Sequence, residues 1–274
     1  MKYRQFWKLH GKYFKFAFND YPNRGRVAPL MRFSSSGTPA DELSSLDDYL
    51  SRAKADQKEI WYVTAPTAEA AKVNPHMERF RRKGIEVLYL LEAVDEFALE
   101  NLMEYKGHPF KAVEQADSKA LEAFQDIATT EDKPEALSEE DKKSFDGLVG
   151  KMKEILAEQV TDIRVSDRLP GNPAALVSPD GVSSSMEKLI RVMQKTDGLP
   201  KKVLEINPDH SLMRALLRIY KNDPDNALVT DMINNLFDSL LLLDGYLNDP
   251  YIMADRTIRL MDEAATWYAD LRQL

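Results

Sequence analysis

Two apolar rows run side by side along the last helical stretch of the chain, and they restrict its folding more than any other feature. The stretch opens at Asp249-Pro250, a cap followed by proline at the first helical position, where a missing N–H costs nothing. One row is Ala254, Ile258, Met261, Ala265 and Tyr268; beside it lie Met253, Leu260, Ala264, Trp267 and Leu271. A surface helix docks on its own domain with one stripe roughly 100° wide. Two adjacent rows demand more cover, either a place inside a core or a second copy of the hairpin across a two-fold axis. The helix before it carries Val229, Met232, Ile233, Leu236, Phe237, Leu240 and Leu241 at three-four spacing. Upstream of both, the apolar run from Val203 leads into Asn207-Pro208, which reads as another cap and first-position proline.

Composition narrows the class. At 274 residues the chain is long enough for one large or two ordinary domains. A net charge of -8 argues against a general nucleic-acid binder, which needs a basic footprint. With Cys 0 there are no disulfides, thiolate metal sites or cysteine nucleophiles, which fits a reducing, cytoplasmic setting. No run reaches the apolar length of a membrane span, and the first residues have no signal-peptide core.

In chain order, Tyr3 to Phe14 reads as an aromatic helix with Phe6, Trp7 and Leu9 as candidate core residues. Asn19 to Arg26 reads as loop, Ala28 to Phe33 as a short helix, and Ser34 to Pro39 as loop. Ser45 caps a helix from Leu46 to Ala53, with Asp48 three residues on completing a short capping box. The pattern then alternates. Strand runs at Glu59–Thr64, Ile85–Leu91 and Phe110–Val113 are separated by helices at Thr67–Arg82, broken near Asn74-Pro75, and at Asp95–Met103. That alternation is the signature of a parallel α/β layer. Residues 116–137 are acidic and polar and read as a linker between a first domain, 1–115, and a second, 138–274. The second is α+β: a helix from Ser138 to Gln159, strands at Val160–Val165 and Ala174–Val177, a helix from Ser183 to Gln194, then the Val203 strand and the terminal helices.

The residues offer no catalytic constellation. The turn after the first parallel strand, Thr64-Ala-Pro-Thr-Ala68, lacks the glycines that let backbone amides cradle phosphate. His10, His76, His108 and His210 have no metal-ligand spacing, and no serine sits in a nucleophile elbow. Acidic pairs such as Asp47-Asp48 and Asp95-Glu96 start helices, where the dipole favours them. An α/β small-molecule enzyme with a helical oligomerisation tail is the alternative reading, and these absences weigh against it. Val182, Met186, Leu189, Ile190 and Met193 share one helix face between two polar loops. They are either core or an adaptable exposed surface, for which methionine's flexible thioether is suited.

Several stretches together resemble one family. Ser45-Leu-Asp-Asp-Tyr-Leu-Ser-Arg52, Gln57-Lys-Glu-Ile-Trp-Tyr-Val-Thr64, Lys83-Gly-Ile-Glu-Val-Leu-Tyr89 and Asp95-Glu-Phe97 resemble the middle domain of the ninety-kilodalton heat-shock chaperones. Val160–Leu169, Pro173–Val177 and Leu204–His210 are similar to that family's C-terminal domain, and the order is the family's own. The resemblance implies a stress-response chaperone piece of the bacterial kind, covering the end of the middle domain and the dimerising C-terminal domain. It implies a homodimer that binds unfolded clients, with ATP and magnesium handled only by a nucleotide domain that has no counterpart here. No cofactor, catalytic residue or metal is implied for this stretch. Nor is nucleic acid or membrane, and the acidic tail that tetratricopeptide-repeat cochaperones recognise is missing. Clients would meet Glu96 and Phe97 on one side and Val182, Met186, Leu189, Ile190 and Met193 on the other. The dimer contact would fall on Val229, Met232, Ile233, Leu236, Phe237, Leu240, Leu241, Ile258, Met261, Ala265 and Tyr268, where the pattern reading also places it.

Overall fold

The computed structural model describes residues 2–16, 21–40, 42–116, 118–127, 137–166, 168–169, 171–179, 187, 190 and 201–272. The chain divides into two compact units, one of Met1–Glu131 with Gly181–Thr196, the other of Asp132–Asp180 with Asp197–Leu274. Both mix helix and sheet, as the alternation of strand and helix patterns requires.

The first unit begins with α1 (Lys2–Lys15) and a short α2 (Arg24–Val27) between two 3₁₀ turns. There follow β1 (Ser34–Ser35), α3 (Leu46–Arg52), β2 (Ile60–Thr64), α4 (Ala68–Val73), α5 (Met77–Lys83), β3 (Leu88–Leu90) and α6 (Ala93–Leu102). The hairpin β4 (Glu104–Tyr105) and β5 (His108–Ala112) and the short α7 (Ser118–Glu122) complete it. The sheet has order β1-β3-β2-β5-β4. Its centre is parallel, β2 pairing with β3 and β5, and both edges are antiparallel. Burial on both faces explains the unbroken Ile60-Trp61-Tyr62-Val63 run: Tyr62 and Ile60 face one core cluster, Trp61 and Val63 the other. Ser45 closes a full capping box with Asp48, and Thr67 caps α4 through Ala70 N–H. Gly84 ends α5 at φ 58, the left-handed conformation glycine adopts without a Cβ penalty. A buried knot ties α3 to the sheet, with Tyr49 Oη donating to the Glu86 carbonyl and accepting from Trp61 N–H and Gln57 Nε2.

In the second unit Ser138 caps α8 (Glu139–Leu156), which is followed by β6 (Val160–Val165), β7 (Ala174–Val177) and β8 (Lys202–Ile206). The chain ends in α9 (Ser211–Asn222), α10 (Ala227–Leu243) and α11 (Pro250–Arg272). The sheet order is β6-β8-β7, parallel then antiparallel. Phe145, Leu148 and Met152 of α8 pack with Ile163, Leu176 and Leu204 of the sheet and with Met213 and Leu216 of α9. Central β8 carries a buried glutamate: Glu205 accepts from Ser166 Oγ at 2.9 Å, from Arg164 NH2 at 2.8 Å and from Arg168. That cluster latches the turn after β6 onto the sheet. Lys202, 2 % exposed, reaches Asp244 at 2.8 Å and covers the Tyr246 ring, pinning the end of α10.

Three expectations change. The helix after β8 starts at Ser211, not Pro208, because His210 Nδ1 accepts from Leu212 N–H; Asn207 instead donates to the Leu169 carbonyl and holds the Asp209 amide. Residues 28–33 form only a 3₁₀ turn before extending, and Ser34–Ser35, read as loop, adds an edge strand. In α1, Trp7 is buried but Phe6 and Leu9 are exposed with Tyr13 and, just past the helix, Phe16.

Burial pushes the Glu205 pKa up, but the hydrogen bonds and charge of Arg168 and the bonds from Ser166 and Arg164 outweigh it and leave it below 4.5. Its stabilising effect is therefore complete above the ordinary glutamate range and is lost as pH falls through the lowered value. Glu205→Gln is expected to cost about 1–2 kcal/mol at pH 7. Urea titrations at pH 7 and pH 3 should show a smaller acid-induced loss in the variant than in the parent; equal losses would refute the latch.

Candidate functional site

The candidate surface lies on the terminal hairpin, α10 and α11. In α10, Val229, Ile233, Phe237, Leu240 and Leu241 are at most 5 % exposed and belong to the unit's own core. Met232 and Leu236 are partly buried against the same cluster. Of these seven positions, expected at a subunit contact, five lie inside their own unit's core and Met232 and Leu236 pack partly buried against it. The physical reason is that a single three-four stripe covers one surface, and the three-stranded sheet with α8 takes it. On α10 only Leu242 and Leu243, 53 % and 50 % exposed, present large apolar side chains outward.

Helix α11 is the opposite case. None of its residues is buried. It meets α10 through a polar seam: Arg256 NH1 donates to Asp238 at 2.6 Å, Arg259 NH2 to Asp231 at 3.0 Å, and Thr257 Oγ1 to Asn235 Oδ1 at 3.0 Å. Arg256, 12 % exposed, also stands 3.7 Å from Asp231. Met253 and Leu260, half-buried, share that inner face. With charges turned toward α10, the apolar row is left outside: Ile258 is 66 % exposed, Met261 65 % and Tyr268 59 %, with Ala265 exposed between them. Tyr251 lies one turn before this row and is also exposed, and Ile252, Trp267 and Leu271 add exposed apolar side chains elsewhere on the helix. Tyr251 and Ile252 went unnoticed in the sequence because they precede the first full turn of either row.

The other candidate residues separate. Glu96 on α6 is 2 % exposed, and its carboxylate accepts from Thr64 Oγ1 at 3.2 Å and Tyr62 Oη at 3.4 Å. It is an internal anchor rather than a contact residue. Burial, and after it the Glu96 and Glu100 charges, raises the Tyr62 pKa, so its hydroxyl stays a donor. Phe97 is half-buried on the same helix. Ile190 is 39 % exposed, whereas Val182, Met186, Leu189 and Met193 lie outside the described residues. Among the described residues no cluster of metal-ligating groups forms, and no helix is long and apolar enough to cross a membrane. At the turn after β2, the hydroxyl of Thr67 is occupied as the α4 cap.

A parallel-centred α/β unit joined to an α+β unit whose last helix exposes an apolar row agrees with the family resemblance in the motifs. The chain belongs to the Hsp90 protein family, whose sequence profile matches residues 1–272. It is 50% identical over 275 residues to the chaperone protein HtpG of Oleidesulfovibrio alaskensis, covering 100% of this chain and 43% of that protein. With the chaperone protein HtpG of Nitratidesulfovibrio vulgaris it shares 48% identity over 274 residues, 99% of this chain and 43% of the relative. The corresponding protein of Paraburkholderia xenovorans is 37% identical over 264 residues, 95% and 40%. The chain thus spans less than half the length of these relatives.

The two helices are expected to respond oppositely to truncation. Phe237→Ala should cost about 3–5 kcal/mol of unfolding free energy through its cavity, whereas Ile258→Ala should stay within about 0.5 kcal/mol in the monomeric form. Urea denaturation at low protein concentration reads both. A large loss at Ile258 would place α11 inside the unit's core.

Proposed function

We propose that this chain is the client-handling and dimerising part of an ATP-dependent chaperone, acting in the cytoplasm as a homodimer. The observation that carries the proposal is the outer row of α11, where Ile258, Met261, Ala265 and Tyr268 lie side by side in solvent. Isolated exposed apolar residues are ordinary, but a continuous row on a helix whose polar face is already engaged calls for a partner. A two-fold axis lets one such row meet its own copy, so a single sequence solution serves both sides. Leu242 and Leu243 at the end of α10 extend the same kind of surface. The core residues of α10 act behind it by fixing the helix that α11 rests on.

Client contact is assigned to Phe97 and Ile190 and, from the spacing in the sequence, to Val182, Met186, Leu189 and Met193. Glu96 supports Phe97 from inside by holding the start of α6 to Tyr62 and Thr64. The nucleotide chemistry, with ATP and magnesium, is proposed to reside in the longer protein outside this chain. The names of the HtpG relatives and the family match support this reading.

The test combines assembly with client protection. Light scattering of the parent chain at micromolar concentration should give a dimer, and Ile258→Asp with Met261→Asp should give folded monomers, because each carboxylate would otherwise be buried unpaired. Phe97→Ala should leave the dimer intact and weaken suppression of aggregation of an unfolded model protein by several-fold. A monomeric parent, or full protection by Phe97→Ala, would overturn the respective half of the proposal.

A further inference from the structure

The first unit holds a cavity of about 510 Å³, lined by Ser36, Gly37, Arg52, Lys72, Met77, Arg81, Gly84, Ile85, Glu86 and Tyr89. Its floor is apolar: Met77 and Ile85 are each 3 % exposed and Tyr89 5 %. Its rim is cationic, with Arg52 at the end of α3, Lys72 on α4 and Arg81 on α5. The single carboxylate in the lining, Glu86, is occupied by Arg52, which donates from Nε at 2.8 Å and from NH2 at 2.7 Å. In a chain of net charge -8, the three lining cations outnumber Glu86 and the Glu78 carboxylate paired with Arg81 by one.

The donors are placed but not used up. Arg81 is fixed by NH1 to Glu78 at 2.6 Å and by NH2 to the Lys72 carbonyl at 2.7 Å, leaving Nε–H and one proton on each terminal nitrogen. Arg52 keeps both NH1 protons. The Lys72 ammonium meets no partner among the described residues, and neither does the Tyr89 hydroxyl. Ser36 Oγ accepts from Val87 N–H at 2.9 Å, and its own proton stays available. Burial raises the Tyr89 pKa and the Arg81 charge opposes it, so the hydroxyl remains a donor beside a guanidinium. Gly37 keeps this arrangement open, since a Cβ there would come within 2.6 Å of the Glu86 carboxyl carbon.

We propose that this cavity binds a small organic anion, with its phosphate or carboxylate between Lys72 and Arg81 and a flat apolar body on Met77, Ile85 and the Tyr89 ring. Its volume falls in the range of small-molecule sites, roughly 300–1,000 Å³. An apolar floor with a few convergent donors is what orients such a ligand, while cations alone on a flat surface would hold only a screened counter-ion. The site lies within the first unit, and nothing in it depends on dimerisation or client contact.

Methyl-labelled methionine gives a direct reporter, because Met77 sits in the floor; its signal is assigned by its loss in Met77→Leu. Titration with phenyl phosphate should move the Met77 methyl saturably, with inorganic phosphate and benzyl alcohol each binding at least about tenfold more weakly because each lacks half of the ligand. Benzoate in place of phenyl phosphate distinguishes a carboxylate head from a phosphate one, the tighter naming the head. Lys72→Gln or Arg81→Gln should weaken the tighter ligand by about fivefold or more, whereas Lys58→Gln, an exposed change of the same charge in the same unit, should not. A stationary Met77 signal, inorganic phosphate binding as well as phenyl phosphate, or equal weakening by Lys58→Gln would overturn the site.

Discussion

Asp231 and Asp238 on α10 bind Arg256 and Arg259 on α11, and the character of the whole C-terminal surface follows from that seam. A helix hairpin normally buries its apolar stripe between its own arms. Here the contact is ionic and hydrogen-bonded, so the apolar row of α11 turns to solvent. The seam is only partly exposed, Arg256 at 12 % and Asp238 at 19 %, and the pair is less screened than a surface one. Losing one partner would leave the other charge poorly solvated, which makes the orientation of α11 costly to change.

Helix α10 joins this outer surface to the fold. One side carries Val229, Ile233 and Phe237 into the core with α8, α9 and the sheet, while the other offers Asp231, Asn235 and Asp238 to α11. The Lys202–Asp244 pair anchors its far end to the central strand. Packing inside the unit thus sets where α11 lies and in which direction its apolar row faces. In the first unit the parallel centre of the sheet does the same for α6, whose Glu96 reaches inward to Tyr62 and Thr64 while Phe97 lies nearer the surface.

Much of this was legible in the residues. The strand runs of β2, β6 and β7, the cap at Ser45 and the break before α5 all follow from local chemistry. So does the outward row of α11, since two apolar rows on one helix exceed what one neighbour covers. The destination of the α10 stripe was not legible, because three-four spacing looks the same whether it faces its own sheet or another chain. Likewise the outer aromatics of α1 share helical spacing with the buried Trp7, and only the packing of Trp7 against Met31 and Phe33 in one cluster separates them. Strands of two residues, β1 and β4, carry no period to read. The His210 cap was hidden by Asn207-Pro208, a better-looking start whose asparagine is drawn away by the Leu169 carbonyl. The cation-rimmed cavity joins residues far apart in sequence, and no local pattern announces it.

The central claim is that a second copy of the chain covers the outer row of α11. Because the chain contains Cys 0, Ala265→Cys places a unique small thiol in the middle of that row. Its rate of reaction with a thiol reagent should fall steeply as protein concentration rises through the dimerisation range, and should return to that of a free thiol on dilution. A fast rate independent of concentration would contradict the account.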